Sequence, residues 1–406
     1  MKKFYTLMAI VLVVSMFLTA CGSAATPAPT AMPAATTAPT QAPAATAAMP
    51  AATTASTQAP AATAATTGTS ISVGMVTDTG GIDDKSFNAL SWAGVQEGIT
   101  QLGVKGSYLE SKQQSDYQTN IQQFLSQNVN LIATVGFLMG VDTATAAKAN
   151  PKTDFVIVDY TYPDCSPTPP NTEGKDCGSA TVMPNVMGTF FQTDEAAFLG
   201  GYAAAGMTKT GKVGTFGGVN IPTVTIYEKG FEAGIKYYNT KHNTNVQLLG
   251  WNTAKNDGLF TNNFTSTDDG HKFAQNLQQE GADIIMPVAG GVGLGSAAYC
   301  QESKSCTIIG VDTDWFVSAP EYQSIELVSV QKKVDVAVFN AIKSVQAGTF
   351  QGGTSTFDLK NGGVDLSPFH NFDSQVPQSL KDEIAQAKQD LISGTITVNG
   401  VLGISQ

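Results

Sequence analysis

From residue 70 onward, short apolar runs alternate with amphipathic segments, and this alternation restricts the possible folds more than any other feature of the chain. The first apolar run, residues 71–77, precedes a segment at residues 86–102 in which apolar side chains recur at helical spacing. Apolar strands that alternate with helices are typical of parallel sheets covered by helices on both faces. The pattern therefore predicts an α/β protein.

The alternation is too long for one sheet, so we predict two doubly wound parallel-sheet lobes with a ligand cleft between them. The further strands are predicted at residues 107–110, 131–135, 155–159, 212–216, 246–251, 284–288, 307–312 and 325–330. The further helices are predicted at residues 117–127, 224–242, 269–281, 294–303, 334–347 and 377–393. We assign residues 70–190 and a return segment at about 313–345 to the first lobe, and residues 191–312 and about 346–406 to the second.

Ligands of such sheets bind beyond the carboxyl ends of the strands, where two lobes would face each other. The residues at the ends of predicted strands are Asp78, Asp159, Gly290, Gly291 and Asp312. They are therefore the first candidates for a binding site in the cleft.

Residues 1–21 have the features of a bacterial lipoprotein signal peptide. Two lysines precede an apolar run too short to span a bilayer, and the segment ends in Leu-Thr-Ala before Cys21. This ending resembles a lipobox, in which the cysteine is diacylated and becomes the mature N terminus; an ordinary signal peptide is the alternative. Residues 22–69, rich in Ala, Thr and Pro, are predicted to form an extended tether. We therefore expect a lipid-anchored protein on the extracytoplasmic face of the cell membrane.

Four cysteines follow Cys21, and an even number in an exported protein favours disulfides. We expect the local pairs Cys165–Cys177 and Cys300–Cys306, although four cysteines allow three connectivities. A zinc site is the alternative, but neither pair has Cys-x-x-Cys spacing or a neighbouring histidine.

Composition argues against nucleic acid as a partner and against a catalytic centre built on histidine. The net charge is −11, all 22 basic residues are lysines, and the three histidines are scattered along the chain. An acidic chain without arginine is poorly suited to phosphate contacts and base readout. We expect a monomer with no catalytic residues, no metal and no other cofactor.

The most specific motif, Asp83-Asp84-Lys85-Ser86-Phe87-Asn88, follows the first predicted strand. It lacks the glycine and lysine spacing of a phosphate-binding loop, and its carboxylates would repel an anion. It resembles the Asp-Asp-x-Ser-Phe-Asn signature of the basic-membrane-protein family, whose members are substrate-binding lipoproteins of ABC importers and include a purine nucleoside receptor. The resemblance continues in order at residues 135–137, 155–159, 211–222, 279–285, 289–295, 310–312, 329–335 and 392–395. It implies a type I periplasmic-binding-protein fold whose lobes close on the ligand.

The resemblance also implies roles for residues around the cleft. Phe87 and, from the opposite lobe, Phe264 would sandwich a base, with Tyr227 as the alternative to Phe264. Asp312 and Lys332 would hold the ribose hydroxyls. Core packing is the structural alternative for the two phenylalanines, and capping of a turn or helix is the alternative for Asp312 and Lys332.

Four further residues complete the predicted site. Asp159 would face the base, Asp78 and Asn88 would line the mouth, and Gly290 would let the backbone approach the ligand. The adjacent carboxylates of residues 83 and 84 are predicted to cap the following helix, because calcium loops space their ligands alternately.

The leading hypothesis is a receptor, not an enzyme, that captures a purine nucleoside and delivers it to an ABC permease in the membrane. A receptor for a sugar or an autoinducer in the same fold is the first alternative. A sensory receptor and a calcium-dependent nucleoside hydrolase are the others, and the hydrolase would need several clustered aspartates.

Replacing Cys21 by serine removes the thiol that a lipid would modify. We expect the Cys21→Ser protein to move from the membrane pellet to the soluble fraction, because no apolar run after the signal peptide is long enough to span a bilayer. Ultracentrifugation of cell extracts with immunoblotting of both fractions measures the change. An unaltered distribution would show that the lipobox interpretation is wrong.

Overall fold

The computed structural model describes residues 70–162 and 183–404. The strands in chain order are β1 (Ser72–Val76), β2 (Lys105–Leu109), β3 (Leu131–Val135), β4 (Asp154–Val158), β5 (Val186–Phe191), β6 (Lys212–Gly217), β7 (Gln247–Leu249), β8 (Trp251–Asn252), β9 (Asp257–Gly258), β10 (Ile284–Val288), β11 (Thr307–Asp312), β12 (Glu326–Lys332), β13 (Gly353–Phe357) and β14 (Val364–Leu366). Most of them lie within a few residues of the predicted apolar runs.

The helices in chain order are α1 (Phe87–Glu97), α2 (Tyr117–Ser126), α3 (Gly140–Ala149), α4 (Thr193–Met207), α5 (Pro222–His242), α6 (Thr267–Gln279), α7 (Val292–Ser303), α8 (Trp315–Ser318), α9 (Val334–Gln346), α10 (Gln378–Ile392) and α11 (Val398–Leu402). A π-helical turn at Gly98–Leu102 extends α1. None of the described helices is long and apolar enough to cross a bilayer.

Two six-stranded sheets confirm the predicted fold class. The first has the order β13-β5-β4-β3-β1-β2 and the second the order β14-β12-β11-β10-β6-β7. The pairings are parallel except that β14 runs antiparallel to β12. Helices cover both faces, so central strands such as β3 and β10 are buried along their whole length. The two sheets therefore repeat one topology, with β1 to β5 matching β6, β7, β10, β11 and β12.

The lobes exchange chain segments at positions that differ from the predicted boundaries. Strand β12 belongs to the second sheet, so residues 313–332 are not part of the return segment. Helix α9 packs on α1 of the first lobe, and β13, expected in the second lobe, pairs with β5 at the edge of the first sheet. The prediction was wrong here because the lobe to which an edge strand belongs depends on the sheet with which its backbone forms hydrogen bonds. The pattern of apolar residues along the chain does not contain this information.

The predicted elements lack helices α3, α4, α8 and α11 and strands β5, β9, β13 and β14. Helix α4 packs against α5, α10, β12 and β14, and eleven of its residues are buried. A helix buried nearly all round has no polar face, so its sequence lacks the amphipathic period by which the other helices are recognised.

Glycines let α4 and α5 pack with their backbones in contact. A Cβ added at Gly234 of α5 would collide with the carbonyl oxygen of Phe198 and lie 2.8 Å from the amide nitrogen of Tyr202, both on α4. A Cβ at Gly201 of α4 would collide with the carbonyl oxygen of Phe231 on α5 in the same way. Since α5 begins at the cleft, this close packing fixes where its first turns lie.

A disulfide joins Cys300, on α7, to Cys306, just before β11, as predicted. The other predicted pair, Cys165–Cys177, lies outside the described residues, as do Cys21 and the tether.

We expect Gly234→Ala to lower the free energy of unfolding by roughly 1–3 kcal/mol, because the added methyl group meets backbone atoms that cannot move independently. Gly206→Ala, at the end of α4, is the matched control, since its methyl group would meet only side-chain carbons of Leu380. Urea denaturation of both variants measures the effect. Equal midpoints for the two variants would contradict this account of the α4–α5 contact.

Candidate ligand-binding cleft

Two aspartates mark equivalent positions in the two lobes. Asp159 follows β4 and Asp312 ends β11, the fourth strand of each lobe, and both have a left-handed backbone, with φ of 69° and 67°. Residues other than glycine adopt this conformation only at a cost in free energy. Backbone conformations of this kind are concentrated at functional sites. Both aspartates lie at the carboxyl ends of the sheets, where the lobes face each other.

A cavity lies between the lobes at these strand ends. The structure brings all eight predicted ligand-binding residues to its wall: Asp78, Phe87, Asn88, Asp159, Phe264, Gly290, Asp312 and Lys332. Their roles toward a ligand stay predictions. Gly291, the second strand-end glycine, is not among the described residues that line the cavity.

Both carboxylate oxygens of Asp312 accept a hydroxyl. The Tyr227 hydroxyl donates to Oδ1 and the Ser86 hydroxyl donates to Oδ2, each at 2.7 Å. Burial, reinforced by the neighbouring carboxylate of Asp312, raises the pKa of Tyr227 well above its usual value, so this hydroxyl keeps its proton. A carboxylate has about four acceptor positions, and these two hydroxyls use about half of them. Because Ser86 belongs to the first lobe, its hydrogen bond also ties the lobes together.

The ammonium group of Lys332 forms a buried ion pair with Asp159 across the lobes. It also lies over three aromatic rings, at 5.0 Å from the centroid of Phe87, 5.2 Å from Phe191 and 5.8 Å from Tyr227. Burial raises the pKa of Asp159, and the charge and hydrogen bond of Lys332 oppose that rise. The ion-pair partner of Lys332 is therefore Asp159, and the predicted role of Lys332 beside Asp312 toward a ribose stays a prediction.

Asp78 is held by contacts that direct one oxygen into the protein. Its Oδ1 accepts the hydroxyl of Tyr117, and it also accepts the backbone amide of Thr79 at 2.6 Å. Burial raises the pKa of Asp78, whereas these hydrogen bonds lower it. Both of these hydrogen bonds are therefore accepted by Oδ1 of Asp78.

Asn88 and Asp84 form the next part of the wall. The Asn88 amide accepts the backbone N–H of Asp78 and donates to Asp84, both at 3.2 Å. Asp84 accepts the backbone amides of Ser86, Asn88 and Ala89 at 3.0, 2.8 and 3.0 Å, which confirms that it caps α1. Burial raises its pKa to about 6 despite these bonds. The neighbouring carboxylate at position 83 is exposed.

The two predicted stacking residues reach the cavity from opposite lobes. Phe87 is the first residue of α1, and Phe264 lies in the loop before α6. The loop carrying Phe264 runs beside β6, where Gly217 donates to Leu259 at 2.9 Å and accepts from Thr261 at 3.0 Å. The short antiparallel pair β8–β9 precedes this stretch. The long segment between β7 and α6 is therefore folded against the second sheet and presents Phe264 to the cavity.

Several cavity residues were not predicted. Ile221, Thr223 and Val224, at the start of α5, line the wall because the β6–α5 turn is the second-lobe equivalent of the β1–α1 turn. The topological repeat would have identified this turn. Phe137 after β3 and Tyr227, considered only as an alternative to Phe264, also line it. Within residues 70–162 and 183–404, no group of three or more His, Cys, Asp or Glu side chains is placed to hold a metal ion.

Comparison with known proteins supports the resemblance seen in the sequence. The family described as "ABC transporter substrate-binding protein PnrA-like" matches residues 71–400. The nucleoside-binding protein BmpA of an ABC transporter from Lactococcus lactis is 33% identical over 81% of this chain and 89% of its own. A lipoprotein from Pyrococcus horikoshii is 32% identical over 73% of this chain and 69% of its own.

A solved structure agrees with the fold. The solute-binding protein of an ABC transporter system from Aeropyrum pernix superposes with a TM-score of 0.70 at 24% identity, over 80% of this chain and 92% of its own. The sheets, the cleft and the match over residues 71–400 lead to one conclusion. The chain belongs to the PnrA-like family of ABC transporter substrate-binding proteins, which are receptors for small molecules that act with a membrane permease and are not enzymes.

Proposed function

We propose that this receptor captures a purine nucleoside in the cleft between its lobes. The observation that supports this most strongly is the pair of phenylalanines, Phe87 and Phe264, that line one cavity from opposite lobes. Two aromatic faces of this kind are a platform for a planar heterocycle, with about 1–3 kcal/mol for each stacking contact. The relative from Lactococcus lactis, described as nucleoside-binding, adds independent support.

The charges of the wall favour a nucleoside over a nucleotide. The ionisable groups that line the cavity are the carboxylates of Asp78, Asp84, Asp159 and Asp312, the ammonium of Lys332 and the hydroxyl of Tyr227. The ammonium is already paired with Asp159. Acceptors therefore dominate, and they suit ribose hydroxyls and exocyclic amino groups, whereas a phosphate would be repelled.

Within this proposal, Asp312 accepts the ribose hydroxyls and Lys332 donates to one of them. Asp159 and Asp78 face the base. The side chain of Asn88 stabilises the position of Asp78 by accepting the backbone N–H of Asp78. The lobes close on the ligand, and the bond of Ser86 to Asp312 is one of the contacts that hold them together.

The receptor is further proposed to act as a monomer, anchored through a lipid on Cys21 at the extracytoplasmic face. The tether, residues 22–69, would give the lobes reach toward the permease. The description of the Pyrococcus horikoshii relative as a lipoprotein supports this arrangement.

Truncating either aromatic face tests the stacking. We expect Phe87→Ala and Phe264→Ala each to weaken binding of adenosine, guanosine or inosine by about 5- to 150-fold, which corresponds to about 1–3 kcal/mol. Phe273→Ala is the matched control, because Phe273 is also partly buried but packs on Phe216 in the second lobe. Calorimetric titration with parallel thermal melts separates affinity from stability. Normal affinity in both cleft variants, with only lowered melting temperatures, would assign the phenylalanines to the core.

The substitution Asp312→Asn removes the negative charge of the carboxylate but keeps the size and shape of the side chain. We expect it to weaken nucleosides, because their hydroxyls would lose a charged acceptor, and to leave free purine bases nearly unaffected. Titration of adenosine and adenine against the variant and the unmodified protein gives both values. An equal loss for adenosine and adenine would place Asp312 at the base instead, and binding of a free sugar alone would replace the nucleoside assignment.

A further inference from the structure

Tyr117, the first residue of α2, contacts the binding site without lining it. Its side chain is fully buried in the core of the first lobe, and its hydroxyl donates to Oδ1 of Asp78. Tyr117 is not among the residues that line the cavity. A role for Tyr117 toward a ligand would therefore be exerted through Asp78.

The other carboxylate oxygen of Asp78, Oδ2, lies next to Gly136, where it leaves no room for a side chain. A Cβ added at Gly136 would collide with Oδ2 of Asp78, and Gly136 has a φ of 118°, which other residues rarely adopt. Tyr117 and Thr79 thus hold the carboxylate through Oδ1. Because Gly136 has no side chain, there is room beside it for Oδ2, and both Asp78 and Gly136 line the cavity.

We propose that Tyr117 is a positioning residue of the binding site, which keeps the carboxylate of Asp78 oriented as an acceptor for the ligand. The inference rests on the proposed function, because it assigns Asp78 to ligand binding. Nothing in the periodicity of α2 indicates it, since a tyrosine at this position reads as an ordinary core residue.

The charges around Asp78 explain why a hydroxyl donor matters there. Asp159 faces it from the end of β4, with its own charge paired to Lys332, and Asp142 of α3 lies near Tyr117. In the described part of the chain, no lysine or histidine forms an ion pair with Asp78. Hydrogen bonds from Tyr117 and Thr79 are therefore the contacts that oppose the effect of burial on its pKa.

The state of Tyr117 itself is suited to this task. Burial, with the nearby charge of Asp78, raises the pKa of the Tyr117 hydroxyl far above its usual value, so the proton stays on the phenol and is donated to the carboxylate. Removing only this hydroxyl leaves the aromatic ring to pack as before. Tyr117→Phe therefore separates the positioning role from a packing role.

The test is the pH dependence of nucleoside affinity, measured by calorimetry on the full-length protein in detergent with inosine as the probe. We expect Tyr117→Phe to bind about tenfold more weakly at neutral pH. As the pH is lowered, we also expect the variant to lose its affinity for inosine at a higher pH than the unmodified protein does. The sign follows because losing a hydrogen bond to the charged form raises the pKa of Asp78, so the carboxylate is protonated earlier as the pH falls.

Tyr202→Phe is the matched control, because Tyr202 is also fully buried and its hydroxyl donates to a carboxylate, Glu383, at 2.7 Å in the second lobe. It should lose stability as Tyr117→Phe does, with an unshifted binding profile. A double variant, Tyr117→Phe with Asp78→Asn, should bind no more weakly than Asp78→Asn alone, because both changes act on one group.

An unshifted profile in Tyr117→Phe, or additive losses in the double variant, would overturn the positioning role while leaving the proposed function intact. If the unmodified protein bound no purine nucleoside, the proposed function would fail, and this inference with it. If Tyr117→Phe did not fold, as judged by circular dichroism, while Tyr202→Phe did, Tyr117 would be a core residue whose hydroxyl is required for folding, which also overturns the proposal.

Discussion

The buried ion pair between Lys332 and Asp159 is the interaction on which the closed cleft depends. It joins residues of different lobes that both line the cavity, with three aromatic rings around the ammonium group. Removing one partner of such a pair leaves an uncompensated buried charge, which costs about 3–5 kcal/mol. The closed arrangement supplies each charge with its counterpart, and the hydrogen bond from Ser86 to Asp312 adds a second polar link between the lobes.

The same requirement explains how the other cleft carboxylates are held. Asp312 receives the hydroxyls of Tyr227 and Ser86, and Asp78 receives the hydroxyl of Tyr117. Neutral donors of this kind stabilise a carboxylate without cancelling its charge, so the cavity keeps acceptors for a ligand rich in hydroxyl or amino groups. This arrangement agrees with the proposed function, in which the ligand is polar and uncharged and has an aromatic part.

The repeated fold accounts for the symmetry of the site. Asp159 and Asp312 occupy equivalent strand ends of the two sheets and share a left-handed backbone. Sequence periodicity predicted most of the central strands and most helices, because each buries its apolar residues in a regular pattern. It did not predict α4, which is buried nearly all round. The segment of about 346–406, which contains β13, was assigned to the second lobe, whereas β13 pairs with β5 of the first sheet.

The sequence by itself determined the α/β class, the two lobes and the residues at the strand ends, because local periodicity and strand termini are written in consecutive residues. It also indicated, through a family resemblance, all eight residues that the structure places around one cavity. Only the tertiary structure decided which groups are partners. Lys332 and Asp159 are 173 positions apart, and Ser86 and Asp312 are 226 apart. Such contacts depend on how the two lobes come together and on the need to pair buried charges. Neither of these produces a pattern in consecutive residues from which the contacts could be predicted.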